Sequence, residues 1–268
     1  MWLHGKSPHT ADAYRRDVRE FQCFLEGKPL AKVTLNELMS YSDALRRQGR
    51  SPSTVKRKLS AVKSALSYGL RIGYLDANVG AVFKLQKTDD TLAERILSEF
   101  EVLRLIDAAS PGRDRILLRF IYESGCRVSE VVNLTWQNLQ PRDNAGQARI
   151  FGKGNKTRVV LLTSQLWTDL MTLRGAAPGD APVFRSQRSP GRLSRSDVND
   201  LIKKCARRAG IQGNVSPHWL RHAHASHSIE RGAPIHLVQA TLGHSSLQTT
   251  GRYLHARPTD SSARYLPR

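Results

Sequence analysis

Helix-start signals recur along this chain so often that they fix it as mainly α-helical. Ser7-Pro8 and Ser51-Pro52 each pair an N-cap hydroxyl with a proline, whose missing N–H costs nothing at the first helical position. Thr34 with Glu37, and Ser98 with Glu101, have capping-box spacing, in which each side chain satisfies the other's backbone N–H. Apolar residues then recur at helical intervals, as in Val18, Phe21, Leu25 and in Val55, Leu59, Val62, Leu66, Leu70. Helices are predicted over about 8–26, 34–49, 52–73 and 76–83, then 98–109, 113–124, 128–134, 164–174, 194–210, 217–231, 234–242 and 246–256. One stretch breaks the pattern. In QARIFGKGNKTRVVLL, two β-rich runs, Ala148–Phe151 and Arg158–Leu162, flank a Gly/Asn/Lys turn, which is a hairpin signal.

Between the helical groups, QKTDDTLAER is polar and aperiodic, so residues 86–95 read as a linker. It separates a helical domain, 1–85, from a second domain, 96–268, that ends in a tail. The expected fold class is therefore mainly α with a small β-hairpin or sheet, in two domains. A chain of 268 residues is long enough for both to bury a core. No apolar run approaches the length of a membrane span, and the first residues lack the apolar core of a signal peptide. A cytoplasmic, nucleoid-associated protein with no membrane partner is expected. The three cysteines are far apart and form no CxxC pair, which points away from disulfides and cysteine-based zinc sites.

Forty-two Lys and Arg against 23 Asp and Glu give a net charge of +19, so the partner is expected to be a polyanion. Charge alone leaves a ribosome-type RNA binder or an incidentally basic surface open, and says nothing of sequence specificity. The third helix carries Lys56, Arg57, Lys58 and Lys63 beside its apolar stripe. Such a helix suits DNA phosphates, and equally a solvated basic face. Lys156, on the hairpin tip, is a further DNA-contact candidate. The tip, GKGNK, lacks the length and Lys-Ser/Thr ending of a P-loop, so no nucleoside-triphosphate site is expected.

The second domain's polar residues fall at structurally suggestive places. SGCRVSEVVNL sets Arg127 at the start of a helix; HWLR sets His218 and Arg221 on one side of another; LGH sets His244 after a helix-ending glycine; TTGRY sets Tyr253 on the last helix. Taken singly, each has an ordinary structural role available. HWLRHAHASH also holds His222, His224 and His227, but at about 100° per residue the four histidines cannot converge on one ion. HxxxH without a third ligand is a weak zinc signal, and no metal site is expected.

Together, Arg127 in GCRVSE, Lys153 in GKGNK, His218 and Arg221 as HxxR, His244 in LGHSS and Tyr253 in TTGRY resemble the tyrosine recombinase (phage integrase) family, including Xer-type recombinases. The resemblance spans the chain, because family members carry a helical, SAM-like core-binding domain ahead of the catalytic one. It implies a two-domain DNA clamp acting as a homotetramer, or as pairs of dimers, on a double-stranded recombination site. It also implies site-specific cleavage and rejoining through a 3′-phosphotyrosyl intermediate, without ATP, metal or other cofactor. Tyr253 is then the nucleophile, Arg127 and Arg221 the paired phosphate donors, His244 a third donor, His218 the base and Lys153 the acid for the leaving 5′-oxygen. Glu130, one turn beyond Arg127, is a support residue for His218 or Arg127, or simply a helix N-terminal acid. His222 is a second support residue. The chemistry suits these types: negative charge growing on the phosphate calls for fixed donors, and arginine matches phosphate geometry as a lysine does not.

Two departures stand out. Family members often follow HxxR with histidine, a small or hydroxyl residue and an aromatic; here His222 is followed by Ala223 and His224. The tail after Tyr253, LHARPTDSSARYLPR, is short for a segment that docks on a neighbouring subunit in relatives. A type IB topoisomerase is the nearest chemical alternative, and a non-catalytic DNA-binding protein on the same fold is another.

Overall fold

The computed structural model describes residues 2–86, 92–152, 156–187 and 191–256. Lys153, half of the expected linker (87–91) and the tail from 257 onward lie outside the described residues. The chain divides into two compact units, Met1–Asp90 and Thr91–Arg268.

The first unit is helical: α1 (Pro8–Phe24), α2 (Leu35–Arg47), α3 (Pro52–Arg71) and a single turn, α4 (Val79–Val82). The start signals act as their chemistry requires. Ser7 and Ser51 accept from Thr10 N and Thr54 N, each ahead of a first-turn proline, and Thr34 and Glu37 close a reciprocal capping box. Phe21, Leu38, Tyr41, Leu45, Leu59 and Leu66 form the core. Polar contacts also join α1 to α3. Asp17, 2% exposed, bonds Arg57 and lies 3.3 Å from the Lys58 ammonium, which also bonds Glu20. With 6% exposure, Lys58 is a buried partner inside the unit, and Lys63 donates to the Phe83 carbonyl; Lys56 is exposed and Arg57 about half exposed.

The second unit begins with a 3-10 turn, Ala93–Arg95, between buried Leu92 and Ile96. It continues through α5 (Glu99–Asp107), α6 (Arg113–Ser124), α7 (Val128–Val131), β1 (Leu139–Arg142), β2 (Ala145–Phe151), β3 (Thr157–Leu162), α8 (Ser164–Arg174), α9 (Arg195–Arg208), α10 (Pro217–Glu230), α11 (Ile235–Leu242) and α12 (Leu247–Ala256). The three strands form an antiparallel sheet in the order β1-β2-β3, with Ala148 opposite Val160 and Gly146 opposite Leu162. Alternation puts Ala148, Ile150, Val160 and Leu162 in the core. α10 packs against α5, α6, α9, α11 and α12, so every residue of the HWLRHAHASH stretch is placed by the middle of the unit.

Two local expectations change. The helix expected to reach residue 134 stops at Val131, because Val183 N bonds the Leu134 carbonyl and Thr135 forms a β-bridge with Pro182. β1 is an edge strand that the sequence hides: its residues read LQPR, only Leu139 turns inward, and proline is tolerated where one strand edge is unpaired.

Candidate active site

Gly125 ends α6 in the left-handed conformation, φ 59°. A Cβ there would lie 2.7 Å from the His224 ring and 2.9 Å from Leu242, so glycine is required by both backbone and space. Two residues on, Arg127 caps α7. Its backbone N and its Nη1 donate to Glu130 Oε2 and Oε1 at 2.8 and 3.1 Å, while its side chain stays 36% exposed. Glu130 thus orients the first arginine. Burial would raise the Glu130 pKa, but bonds from Arg158 and the Arg127 backbone outweigh it and hold the carboxyl below the usual range.

Arg221 projects from α10 into the protein and is 4% exposed. Its Nη1 and Nη2 donate to the carbonyls of Gly125 and Leu242 at 2.5 and 2.8 Å. These are the C-terminal carbonyls of α6 and α11, both of which end on left-handed glycines, so the guanidinium satisfies acceptors that no helical N–H reaches. No carboxylate forms an ion pair with it among the described residues. Burial, then the Arg127 charge, pulls its pKa down to about 10.

His218, on the first turn of α10, is open to solvent on one side. The protein around it, then Arg221 and Arg127, lower its pKa. One turn later, His222 Nδ1 lies 2.7 Å from the Tyr253 hydroxyl of α12, and burial with the His218 charge takes its pKa to about 4. Tyr253 is 5% exposed, and burial raises its pKa above the ordinary phenol value against the pull of Arg221 and Arg252. His244 follows Gly243, the C-cap of α11, and its Nδ1 pairs with the buried Thr250 hydroxyl at 2.8 Å. Burial, Arg221, Arg127 and Arg158 depress its pKa to about 4.

Five of the six residues on which the resemblance rests thus form one electrostatic neighbourhood, and the sixth, Lys153, lies outside the described residues. Gly152 N bonds the Lys156 carbonyl at 2.8 Å, closing the hairpin on either side of it. Beside the site is a cavity of about 580 Å³ lined by Arg127, Lys156, Arg158, Gly243, His244 and Ser245. The remaining histidines of α10 are structural. His224 Nδ1 bonds the Tyr122 carbonyl at 2.8 Å; His227, 3% exposed, bonds the Leu97 carbonyl through Nε2 and the Tyr122 hydroxyl through Nδ1. Among the described residues, no three His, Cys, Asp or Glu side chains group as a metal site.

Sequence reasoning missed Arg158 and Thr250. Arg158 had a readable signal: on β3 it shares the inward face with Val160 and Leu162, and a charge at such a position demands a buried partner. Thr250 had none, since a pairing six residues from His244 depends on how α12 folds back.

Residues 95–260 match the phage integrase family, and residues 2–72 match the phage integrase N-terminal SAM-like domain. The chain is 34% identical to tyrosine recombinase XerD of Pseudomonas aeruginosa, spanning 100% of this chain and 95% of that protein. It is 32% identical to tyrosine recombinase XerD of Bifidobacterium longum, spanning 98% and 91%. Among solved structures, XerA recombinase aligns over 98% of this chain and 94% of its own at 27% identity and a TM-score of 0.56. A lambda integrase dimer bound to a COC′ core site shares the fold over 96% of this chain and 92% of its own, with a TM-score of 0.78 at 18% identity. The chain belongs to the phage integrase family: it is a tyrosine recombinase, an enzyme that cuts and rejoins DNA.

Proposed function

We propose that Tyr253 attacks a scissile DNA phosphate within a specific site, with the roles divided as follows. The Tyr253 oxygen bonds to phosphorus, the bond from phosphorus to the 5′-oxygen breaks, and a 3′-phosphotyrosyl link remains. Arg127 and Arg221 hold the non-bridging oxygens, and His244 adds a third donor. His218 takes the phenol proton, and Lys153 protonates the leaving 5′-oxygen. A neutral phenol is the resting state, because burial raises the Tyr253 pKa; a bound phosphate and a nearby base must draw the proton away. The covalent link conserves the phosphodiester's energy, so this chemistry calls on neither ATP nor a metal.

The observation that carries this reading is the Tyr253 hydroxyl, held 2.7 Å from a histidine on the same helix that bears His218 and Arg221. That contact favours a second route for the proton, to His222 Nδ1 first. The partner is double-stranded DNA bearing a recombination site, engaged by four copies and approached through Lys56, Arg57 and Lys156. A lambda integrase tetramer bound to a Holliday junction, of the same fold, supports the assembly. No helix among the described residues is long and apolar enough to cross a membrane. The domain assignment, residues 1–85 for core binding and 96–268 for catalysis about a linker at 86–95, is part of the same proposal.

The test is to trap the protein covalently on host DNA, sequence that DNA, and assay strand exchange between two copies of the recovered site. Exchanged products support recombination, whereas relaxation of supercoils without exchange would assign a topoisomerase. Tyr253→Phe is expected to bind the site within about twofold of wild type and to form no covalent product; a persisting adduct removes Tyr253 from the role.

A further inference from the structure

Arg158 is not one of the six residues on which the resemblance rests, yet it joins two of the segments that carry them. It leaves β3 toward the core, with its side chain 13% exposed. Its Nη1 and Nη2 donate to Glu130 Oε1 and Oε2 at 3.0 and 2.8 Å. The same carboxylate holds the backbone N and Nη1 of Arg127. Its Nε donates to the Thr241 carbonyl in the last turn of α11 at 2.7 Å, and its stem rests on Gly243. A Cβ at Gly243 would lie 3.2 Å from Arg158 Cδ and Nη1, and the backbone there has φ +65°. The residue ahead of His244 is therefore glycine both for its own conformation and for the close approach of Arg158. Each nitrogen of this guanidinium has a partner inside the protein, so Arg158 is not arranged as a phosphate ligand.

We propose that Arg158 is a positioning residue for strand cleavage: through Glu130 it sets the guanidinium of Arg127, and through Thr241 and Gly243 it sets the turn that presents His244. One fork tied to β3 thereby fixes two phosphate donors that reach the site from different helices. Lysine cannot replace it, since a single ammonium cannot span both Glu130 oxygens and the Thr241 carbonyl in fixed planar geometry. Displacing a reacting group by about 1 Å can cost on the order of 100-fold in rate. The inference rests on Arg127 and His244 being phosphate donors, as proposed above.

The experiment is single-turnover cleavage of a nicked duplex carrying the recovered site, comparing wild type, Arg158→Lys and Glu130→Gln, with DNA affinity measured alongside. The expected result for both variants is a cleavage rate constant lower by roughly 10- to 100-fold. Their final covalent yield should match wild type, and their DNA affinity should stay within about twofold. Loss of fold alone would instead lower the yield and leave the rate constant of the surviving molecules unchanged, which overturns the proposal. So does Arg158→Lys cleaving at the wild-type rate. Should Arg158→Lys fail to fold, Glu130→Gln decides by the same two readouts. Wild type that forms no covalent complex defeats the recombinase reading and this inference with it; wild type that cleaves beside equally fast variants defeats this inference alone.

Discussion

Replacing Arg221 by glutamine isolates the cost of keeping the proposed phosphate donor charged and buried. The guanidinium is 4% exposed, lacks a carboxylate partner among the described residues, and has a pKa drawn down to about 10. That is roughly 2 to 3 pH units below a free guanidinium, or about 3 kcal/mol against the charged form at ~1.4 kcal/mol per unit. At neutral pH arginine is charged both folded and unfolded, so the full penalty applies there. Glutamine removes it and keeps two N–H donors for the Gly125 and Leu242 carbonyls; each carbonyl left unpaired costs about 1–3 kcal/mol. The terms nearly offset, and Arg221→Gln is expected to unfold in urea within about 2 kcal/mol of wild type while losing strand cleavage. A bound oxyanion should relieve the same charge. Sulfate should then stabilise wild type by more than it stabilises Arg221→Gln, the difference approaching about 3 kcal/mol at saturation. The general salting effect of sulfate acts on both proteins and cancels in that difference. Fluorescence is a suitable probe, because Trp136, Trp167 and Trp219 all lie in the second unit. A loss well beyond 3 kcal/mol, or equal sulfate responses, would refute the reasoning.

Other outcomes follow from the same geometry. The pKa values of His222, His224 and His244 are each depressed to about 4, so the unfolded chain takes up protons first as pH falls below about 6.5; stability should drop between about pH 6.5 and 4, and a flat urea midpoint over that window would contradict the burial argument. His218→Ala and His222→Ala separate the two proton routes: slower cleavage in both is expected, with the larger loss marking the residue that accepts the Tyr253 proton, and an unaffected His218→Ala would assign that step elsewhere. DNA affinity should fall at least tenfold between about 50 and 200 mM salt, and Lys56→Glu with Arg57→Glu should weaken all duplexes alike; a salt-independent affinity would make the basic surface incidental.

Local signals in the sequence carried the helical architecture far. Capping chemistry placed the starts of α1, α2, α3 and α5, and the Gly/Asn/Lys turn placed β2 and β3, because each of these is decided within a few residues. β1 and the early end of α7 were hidden because Leu134, Thr135 and Leu139 answer to Val183, Pro182 and Ala148. The same division holds in the site. Residue types and order named Arg127, His218, Arg221, His244 and Tyr253, whereas the fold supplied their partners: Glu130 shared by Arg127 and Arg158, two helix-end carbonyls for Arg221, Thr250 for His244. The basic stripe of α3 was the least decidable feature, since nothing local showed that Asp17 and Glu20 would bury Lys58. At the position where the resemblance leads to the expectation of an aromatic, His224 fills the space against Gly125 and bonds the Tyr122 carbonyl, a packing role.

The most direct test is the identity of the covalent junction. Protein trapped on a nicked duplex carrying its recovered site is digested with protease and nuclease, and the nucleotide-bearing peptide is sequenced by mass spectrometry. The expected result is a single adduct on the Tyr253 oxygen, joined through a 3′-phosphate, with a free 5′-hydroxyl on the released strand. An adduct on another residue, or a 5′-phosphate linkage at Tyr253, would contradict it.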